Sequence, residues 1–234
     1  MININTIIIN KSRFNLYGFF IILSILLSLV FVYKNLKREK IEARIILLSF
    51  LLATPYIIIG GKFLTTLTSK EKYNFFSAGL SSYGGAIGLI IGILIYEKIT
   101  GNKKIKEPYI ISLPLMYGVA KLGCFFAGCC YGIKYSGPFN IRYPHLYAYT
   151  VFPVQLVETI VFVIIFIVLN YLYKRKKTDN IIRYTIVISS ISKFILDYLR
   201  FSHMNVFLSV NQIISLVFFV GGIIYLIKEK IKAE

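Results

Sequence analysis

The sequence predicts an all-α fold: a polytopic membrane protein with seven transmembrane helices. The mean hydropathy of the 234-residue chain is +0.72, and hydrophobic residues make up 57% of it, which is more apolar than a soluble domain usually is. A membrane-crossing helix needs roughly 20 mostly apolar residues. Seven stretches approach that length: Phe14–Tyr33, Ala43–Leu64, Tyr83–Tyr96, Tyr109–Tyr131, Pro153–Tyr173, Ile181–Leu199 and Leu208–Ile227. No long linker separates them, so we expect one transmembrane domain over residues 1–234.

Glycine and proline distinguish the third and fourth spans. The third is short and contains small residues that let helices approach closely inside a membrane: Gly84, Gly85, Gly88 and Gly92. The fourth contains residues at which we expect bends: Pro114, Gly118, Gly123 and Gly128. Residues 132–152, between the fourth and fifth spans, form an aromatic-rich loop that we expect to rest at the membrane interface.

Positive charge is distributed unevenly between the two sides of the predicted bundle. The formal net charge of +17 would suit a nucleic-acid partner. However, seventeen lysines and arginines lie on one side, in residues 34–44, 98–106, 174–183 and 228–232, against eight on the other. The positive-inside rule then places the N-terminus outside and the C-terminus in the cytoplasm. We therefore expect no nucleic-acid partner and interpret the basic excess as a topology signal, with some attraction to anionic lipids.

Polar residues gather at one depth in all seven spans. Ionisable residues are costly inside a bilayer and usually pair or serve a function. With the orientation above, the unusual residues all fall in the outer half: Tyr17, Lys62, Tyr83, Gly84, Gly85, Lys121, Cys124, Cys129, Cys130, Gln155, Glu158, Lys193, Asp197, Arg200, Asn211 and Gln212. We expect them to line one polar cavity that opens toward the outer leaflet.

The cations of the fourth and sixth spans differ in their local partners. Lys193 and Asp197 are spaced i, i+4 and share a helix face, and Arg200 follows Asp197 at i+3. This spacing fits a structural salt bridge and a catalytic role equally. Lys121 has no carboxylate in its own span, so its partner must come from another helix or be a bound anion such as a phosphate headgroup.

The segment KLGCFFAGCCYG, residues 121–132, contains all three cysteines of the chain. Four interpretations stay open: a metal site, a disulfide, an activated thiolate and small packing residues between helices. Packing is the most favoured. The metal site is the least favoured, because vicinal cysteines rarely ligate one ion well, so we expect no metal and no cofactor. His145 and His203 could act as general bases, but we expect both to be exposed loop histidines.

Seven short motifs follow one another along the chain. They are Tyr17-Gly18, IIGGKFL at 58–64, SYGGAIG at 82–88, the cysteine-containing segment at 121–132, FPVQLVE at 152–158, KFILDYLR at 193–200, and Asn211-Gln212 with Ser215. In order, spacing and topology they resemble the bacterial prolipoprotein diacylglyceryl transferases over nearly the whole chain. The sequence departs from the family pattern as follows: Lys62, Lys121 and Lys193 replace arginine, Tyr83 replaces histidine, Cys124 and Ala127 replace asparagine, and Cys129 replaces glutamate.

The resemblance implies a multi-pass enzyme of the bacterial cytoplasmic membrane. Such an enzyme moves the diacylglyceryl group of phosphatidylglycerol onto the lipobox cysteine of a preprolipoprotein and releases glycerol phosphate. This chemistry needs a base for the thiol, cations for the leaving phosphate and an apolar cavity for two acyl chains. Carried onto this sequence, the expected catalytic residues are Tyr83, Cys129, Lys193 and Asp197. The expected headgroup-binding residues are Lys121, Tyr17, Gly84, Gly85, Cys124, Gly132, Gln155, Glu158 and Arg200.

Two other functions fit the same residues. One is a different lipid-group transferase in which Cys124 or Cys129 is a covalent nucleophile. The other is a non-catalytic lipid-binding or carrier protein on the same scaffold. For the transferase, the expected partners are phosphatidylglycerol, lipobox-containing preprolipoproteins and membrane lipids.

Overall fold

A computed structural model describes residues 6–8, 16–68, 75–76, 79–146, 148–175, 180–203 and 206–233. Within these ranges the chain forms seven α-helices and two short strands: β1 (Thr6–Ile8), α1 (Leu16–Arg38), α2 (Ala43–Thr68), α3 (Ser82–Thr100), α4 (Lys106–Ala127), β2 (Asn140–Arg142), α5 (Val154–Lys174), α6 (Ile181–Asp197) and α7 (Val210–Ala233). Each predicted span overlaps one helix, but the fourth was drawn too long, because α4 ends at Ala127 and not at Tyr131. Phe14, the predicted start of the first span, lies outside the described residues.

The helices have the length and composition of membrane spans to different degrees. Of those described, five are long and apolar enough to cross a membrane, α1 to α5, and α7 contains a shorter apolar stretch, Val210–Tyr225. Large apolar side chains on the helices are exposed, among them Ile22 (61%), Leu51 (65%) and Val217 (67%). A soluble protein rarely exposes so much contiguous apolar surface. The chain is a membrane protein, whereas seven crossings and their orientation stay predictions.

The chain divides into two compact units. Unit 1 comprises Met1–Leu27 with Pro114–Glu234, and unit 2 comprises Ser28–Leu113. Unit 2 has an apolar core contributed by its helices: Val32, Leu36, Ile46, Ala53, Leu89, Ile93, Tyr96, Ile105 and Tyr109. Unit 1 contains most of the polar residues that the sequence singled out.

Close packing of α2 against α3 confirms the expectation drawn from the glycines of the third span. A Cβ atom at Gly84 would collide with the carbonyl oxygen of Gly60, and one at Gly88 with that of Tyr56. These glycines are four residues apart and therefore share one face of α3. Without side chains at these positions, the two backbones come into contact, as in other small-residue interfaces of membrane helices.

The prediction of a plain loop over residues 132–152 was incomplete. Strand β2 pairs in parallel with β1, in the register Thr6↔Asn140 to Ile8↔Arg142. Ile141 also exchanges backbone hydrogen bonds with Val151 in both directions, at 2.9 Å. The segment has an apolar core of its own, made with the end of α4: Phe125, Ile141, Tyr143, Leu146 and Val151. It is therefore a small folded cap within unit 1.

Candidate functional site

A buried network of charges in unit 1 is centred on Glu158 of α5. Its carboxylate lies 3.0 Å from Lys121 Nζ of α4 and 2.5 Å from Arg200 Nη2. The hydroxyl of Tyr117 donates to the same carboxylate at 2.6 Å. Glu158 is fully buried, so the ion pairs with Lys121 and Arg200 and the hydrogen bond from Tyr117 take the place of water around the charge. Of the two partners predicted for Lys121, a group from another helix or a bound anion, the structure shows the first, Glu158 of α5.

A close approach of α4 to α5 brings these groups together. A Cβ atom at Gly118 would stand 3.1 Å from the carbonyl oxygen of Thr159 and 3.3 Å from Cβ of Phe162. The Thr159 hydroxyl donates to the Gly118 carbonyl at 2.9 Å. Tyr117 and Lys121 are four residues apart and share the face of α4 that meets α5. α4 runs unbroken through Pro114, Gly118 and Gly123.

The ring of Tyr117 joins the cations of two helices. Lys193 Nζ of α6 lies 4.6 Å from the ring centroid, and Lys121 Nζ lies 5.0 Å from it. Both distances are within the range of cation–π contacts. Lys121, Lys193 and Arg200 are 6%, 6% and 7% exposed. Three cations are therefore held in a largely dehydrated region around one phenol.

Asp197, the last residue of α6, orients Arg200. Its Oδ1 lies 3.4 Å from Arg200 Nε, which confirms the predicted i, i+3 pair. The Ser209 hydroxyl donates a short hydrogen bond to Asp197 Oδ2. The predicted pairing of Lys193 with Asp197 stays a prediction. Among the described residues, the network gathers three cationic side chains, two carboxylates and, beside Lys121 and Arg200, the Cys130 thiol.

A capping box fixes the start of α7, and its Gln212 side chain also contacts His203. Ser209 Oγ accepts from the backbone N–H of Gln212 at 3.1 Å, and Gln212 Oε1 accepts from the backbone N–H of Ser209 at 3.0 Å. Gln212 Oε1 also lies 2.7 Å from His203 Nε2. The prediction of an exposed loop histidine was wrong for His203, because the capping residue Gln212 anchors its ring. His145 is exposed, as predicted.

The three cysteines converge where α4 ends. The helix ends at Ala127 because Gly128 takes a φ of +69°, a left-handed conformation that breaks the helical repeat. Cys130 also has a positive φ, +54°. The Cys129 N–H donates a hydrogen bond to the Cys124 carbonyl at 3.1 Å. As a result, the Sγ atoms of Cys124, Cys129 and Cys130 all lie within 4.8 Å of one another.

Buried hydrogen bonds hold this turn in place. Gln155 Nε2 donates to the Cys129 carbonyl at 2.8 Å, and the Tyr143 hydroxyl donates to the Phe125 carbonyl at 2.9 Å. Burial raises the pKa of Tyr143, so its hydroxyl stays a donor at neutral pH. Gln155 was expected to bind a lipid headgroup; here its amide fixes the backbone of the cysteine turn.

The thiols differ in acidity. Hydrogen bonds with the Cys124 and Cys129 thiols hold the pKa of Cys130 well below its usual range. Two contacts raise the pKa of Cys129: that with Cys124 contributes most, and that with Cys130 contributes next. Cys130, which was predicted to line the cavity but not to be a catalytic or headgroup-binding residue, is therefore the most acidic thiol of the group. No sequence signal distinguishes it from its neighbour Cys129.

Other predicted residues have packing contacts. In unit 1, a Cβ atom at Gly132 would stand 2.5 Å from the Phe152 carbonyl, to which the Gly132 N–H donates at 3.2 Å. α1 packs on α4 beside Tyr17, whose carbonyl would lie 3.0 Å from a Cβ atom at Gly123.

Unit 2 contains the remaining predicted residues. Tyr83 is buried in the first turn of α3. Gly84 packs on α2, and a Cβ atom at Gly85 would make an ordinary 3.5 Å contact with Ile57. Lys62 donates to the Phe76 carbonyl at 2.8 Å.

Sequence reasoning missed Tyr117 and Ser209. Tyr117 lies one helical turn before Lys121, a spacing that could have indicated a shared face. Ser209 and Gln212 form the Ser-x-x-Gln pattern that precedes an apolar helix, which is a recognisable capping signal.

Comparison with known proteins agrees with this architecture. The family model described as "Prolipoprotein diacylglyceryl transferase" matches residues 5–228. Phosphatidylglycerol–prolipoprotein diacylglyceryl transferase of Clostridioides difficile is 29% identical over 221 residues, covering 89% of this chain and 88% of the relative. The enzyme of the same name from Clostridium tetani is 27% identical over 228 residues, covering 88% of this chain and 90% of the relative. The chain therefore belongs to the prolipoprotein diacylglyceryl transferase family.

Proposed function

We propose that this protein transfers the diacylglyceryl group of phosphatidylglycerol to a cysteine thiol of a prolipoprotein. Family membership over nearly the whole chain and the names of its relatives support this activity. In the reaction, the substrate sulfur forms a bond to the glyceryl carbon and the carbon–oxygen bond to phosphate breaks. Glycerol phosphate leaves with the electron pair, and the thiol proton passes to a base.

The three buried cationic side chains of the network are the observation that carries the proposal. Lysine and arginine bind phosphate oxygens through charge-assisted hydrogen bonds, and phosphatidylglycerol has one anionic phosphodiester. Lys121, Lys193 and Arg200 hold the phosphate and stabilise the charge that develops as it leaves. Low exposure strengthens these contacts, because water does not screen them.

The remaining predicted residues have supporting roles in this proposal. Asp197 orients Arg200 by direct pairing. In unit 1, Tyr17 hydrogen-bonds the headgroup, while Gln155 holds the turn that contains Cys129. In unit 2, Tyr83 takes the catalytic position of the family motif at 82–88, and Gly84 packs on α2.

The chain crosses a bacterial cytoplasmic membrane seven times, with its N-terminus outside and its C-terminus in the cytoplasm. The distribution of seventeen cationic residues against eight supports this orientation. Reporter fusions at the C-terminus and after residue 104 should be active in the cytoplasm. A fusion after residue 138 should be active outside, and the opposite pattern would invert the topology.

A reconstituted transfer assay tests the function. Purified protein is placed in vesicles of phosphatidylglycerol or of zwitterionic phosphatidylethanolamine, with a synthetic lipobox peptide. The expected product is a diacylglyceryl thioether peptide that forms with phosphatidylglycerol alone. Absence of product, or equal yield from both lipids, would contradict the proposal. An acyl or glyceryl adduct on Cys124 or Cys129 would instead favour the covalent alternative.

Complementation of a strain depleted of its own diacylglyceryl transferase tests the activity in cells.

A further inference from the structure

Three thiols lie together in a turn beside the charged network, because the Cys130 thiol interacts electrostatically with Lys121 and Arg200. Their Sγ atoms lie within 4.8 Å of one another. Among the described residues, these thiols are the one group of three histidine, cysteine or carboxylate side chains whose ligand atoms are this close. Cys124 and Cys129 are partly exposed and Cys130 is exposed. An ion could therefore reach the cluster from outside the protein.

The spacing is close to what one metal ion requires. Three thiolates that bind a metal at about 2.3 Å stand about 4.0 Å apart in a trigonal plane. The observed upper limit of 4.8 Å exceeds this by less than 1 Å, which small changes of side-chain torsion can close. Adjacent cysteines ligate one ion poorly when the backbone is extended or helical. Here the positive φ of Cys130 changes the backbone direction between Cys129 and Cys130.

The backbone of the turn is held before any ligand binds. Cys130 keeps a left-handed conformation although it has a side chain, which is uncommon for a residue other than glycine, asparagine or aspartate. Gln155, fully buried, donates to the Cys129 carbonyl, and its own Oε1 has no hydrogen-bond partner among the described residues. Strained backbone that is fixed by buried groups is typical of functional sites.

We propose that Cys124, Cys129 and Cys130 form a binding site for a soft d10 cation, Cu(I), coordinated by three thiolates. Thiolate ligands select soft cations. The described residues place three such ligands, and no fourth, at this spacing, which suits the trigonal geometry of Cu(I) better than tetrahedral zinc. The thiols that are still protonated lose their protons on binding, so binding tightens as the pH rises. The site takes an ion rather than a lipid substrate.

The test is a Cu(I) titration of the purified full-length protein in detergent. It is run without oxygen and with a non-thiol reductant, in competition with a chromophoric Cu(I) chelator. We expect one Cu(I) per chain and at least 100-fold weaker binding for each of Cys124→Ser, Cys129→Ser and Cys130→Ser. His145→Ala, which removes the exposed imidazole beside Gly128, should stay within threefold of the unaltered protein.

Two measurements on the unaltered protein keep the proposal falsifiable even if the serine variants do not fold. X-ray absorption of the Cu(I)-loaded protein should show three sulfur ligands, and a spectrum with two sulfurs or with nitrogen would overturn the proposal. Thiol titration of protein purified without reductant should find three free thiols. A disulfide within the group, or binding of less than half an equivalent of Cu(I), would also overturn it.

Discussion

Glu158 Oε2 lies 3.0 Å from Lys121 Nζ, and the two side chains are only 1% and 8% exposed. This ion pair joins α5 to α4 in the interior of unit 1. Removing two charges from water costs several kcal/mol per ion, and only their mutual attraction and further hydrogen bonds offset it. Each partner therefore depends on the other, and Arg200 and Tyr117 depend on the same carboxylate.

Replacing the central carboxylate should destabilise the protein. Glu158→Gln leaves Lys121 and Arg200 buried without their shared counter-charge, at an expected cost of about 3–5 kcal/mol in the free energy of unfolding. This loss is measured by unfolding the protein in detergent while the helical circular dichroism signal is monitored. The matched control is Glu42→Gln, whose side chain is 69% exposed and 3.8 Å from Arg44; it should cost less than about 1 kcal/mol. Equal losses would show that the Glu158 network contributes no more than a surface pair.

A methyl group at Gly88 should separate α2 from α3. In Gly88→Ala the new Cβ atom meets the Tyr56 backbone, so we expect a loss of about 1–3 kcal/mol. The control is Gly221→Ala in α7, where no described heavy atom lies within 4 Å of the added Cβ atom. That change should be neutral or stabilise the helix by up to about 1 kcal/mol. A smaller loss for Gly88→Ala than for Gly221→Ala would argue against close backbone packing.

The capping box should protect the first turn of α7. Ser209→Ala removes the acceptor of the Gln212 N–H and should cost about 0.5–2 kcal/mol, seen as faster hydrogen exchange at the start of α7. Ser209→Thr keeps the hydroxyl and should restore much of the protection, and exposed Ser202→Ala should leave exchange unchanged. Unaltered exchange in Ser209→Ala would mean that the cap does not limit the opening of this turn.

Alkylation of the thiols should depend on pH in different ways. Because the pKa of Cys130 lies below its usual range and that of Cys129 above it, Cys130 is a thiolate at neutral pH while Cys129 stays protonated. In reduced, chelator-treated protein, lowering the pH from 8 to 7 should slow alkylation of Cys129 about tenfold and that of Cys130 less than about twofold. Site-resolved mass spectrometry measures both rates. A steeper loss at Cys130 than at Cys129 would reverse the assignment.

Features determined by local sequence were predictable. The helices follow from runs of apolar residues of membrane-spanning length. The pairing of Arg200 with Asp197 follows from their helical spacing. The absence of a nearby carboxylate indicated that Lys121 would pair either with another helix or with a bound anion. Glycines at positions 84 and 88 predicted a close helix contact, although not which helix would provide it.

Features that depend on long-range geometry were not predictable. The pairing of β1 with β2 joins residues more than 130 positions apart, and no local pattern in a short apolar segment indicates its partner. Tyr117 resembles any tyrosine in an apolar helix until α5 supplies Glu158. The convergence of the three thiols requires a left-handed conformation at Cys130, a residue type that seldom adopts it.

The most direct test of the proposed phosphate site compares Lys121→Ala with the double variant Lys121→Ala/Glu158→Gln in the phosphatidylglycerol transfer assay. The double variant removes both charges of the pair, so no carboxylate is left without Lys121. Exposed Lys98→Ala is the control. We predict that both variants lose at least 100-fold in kcat/KM while Lys98→Ala keeps full activity. Recovery of activity to within threefold in the double variant would contradict the proposal, because Lys121 would then serve only to balance Glu158.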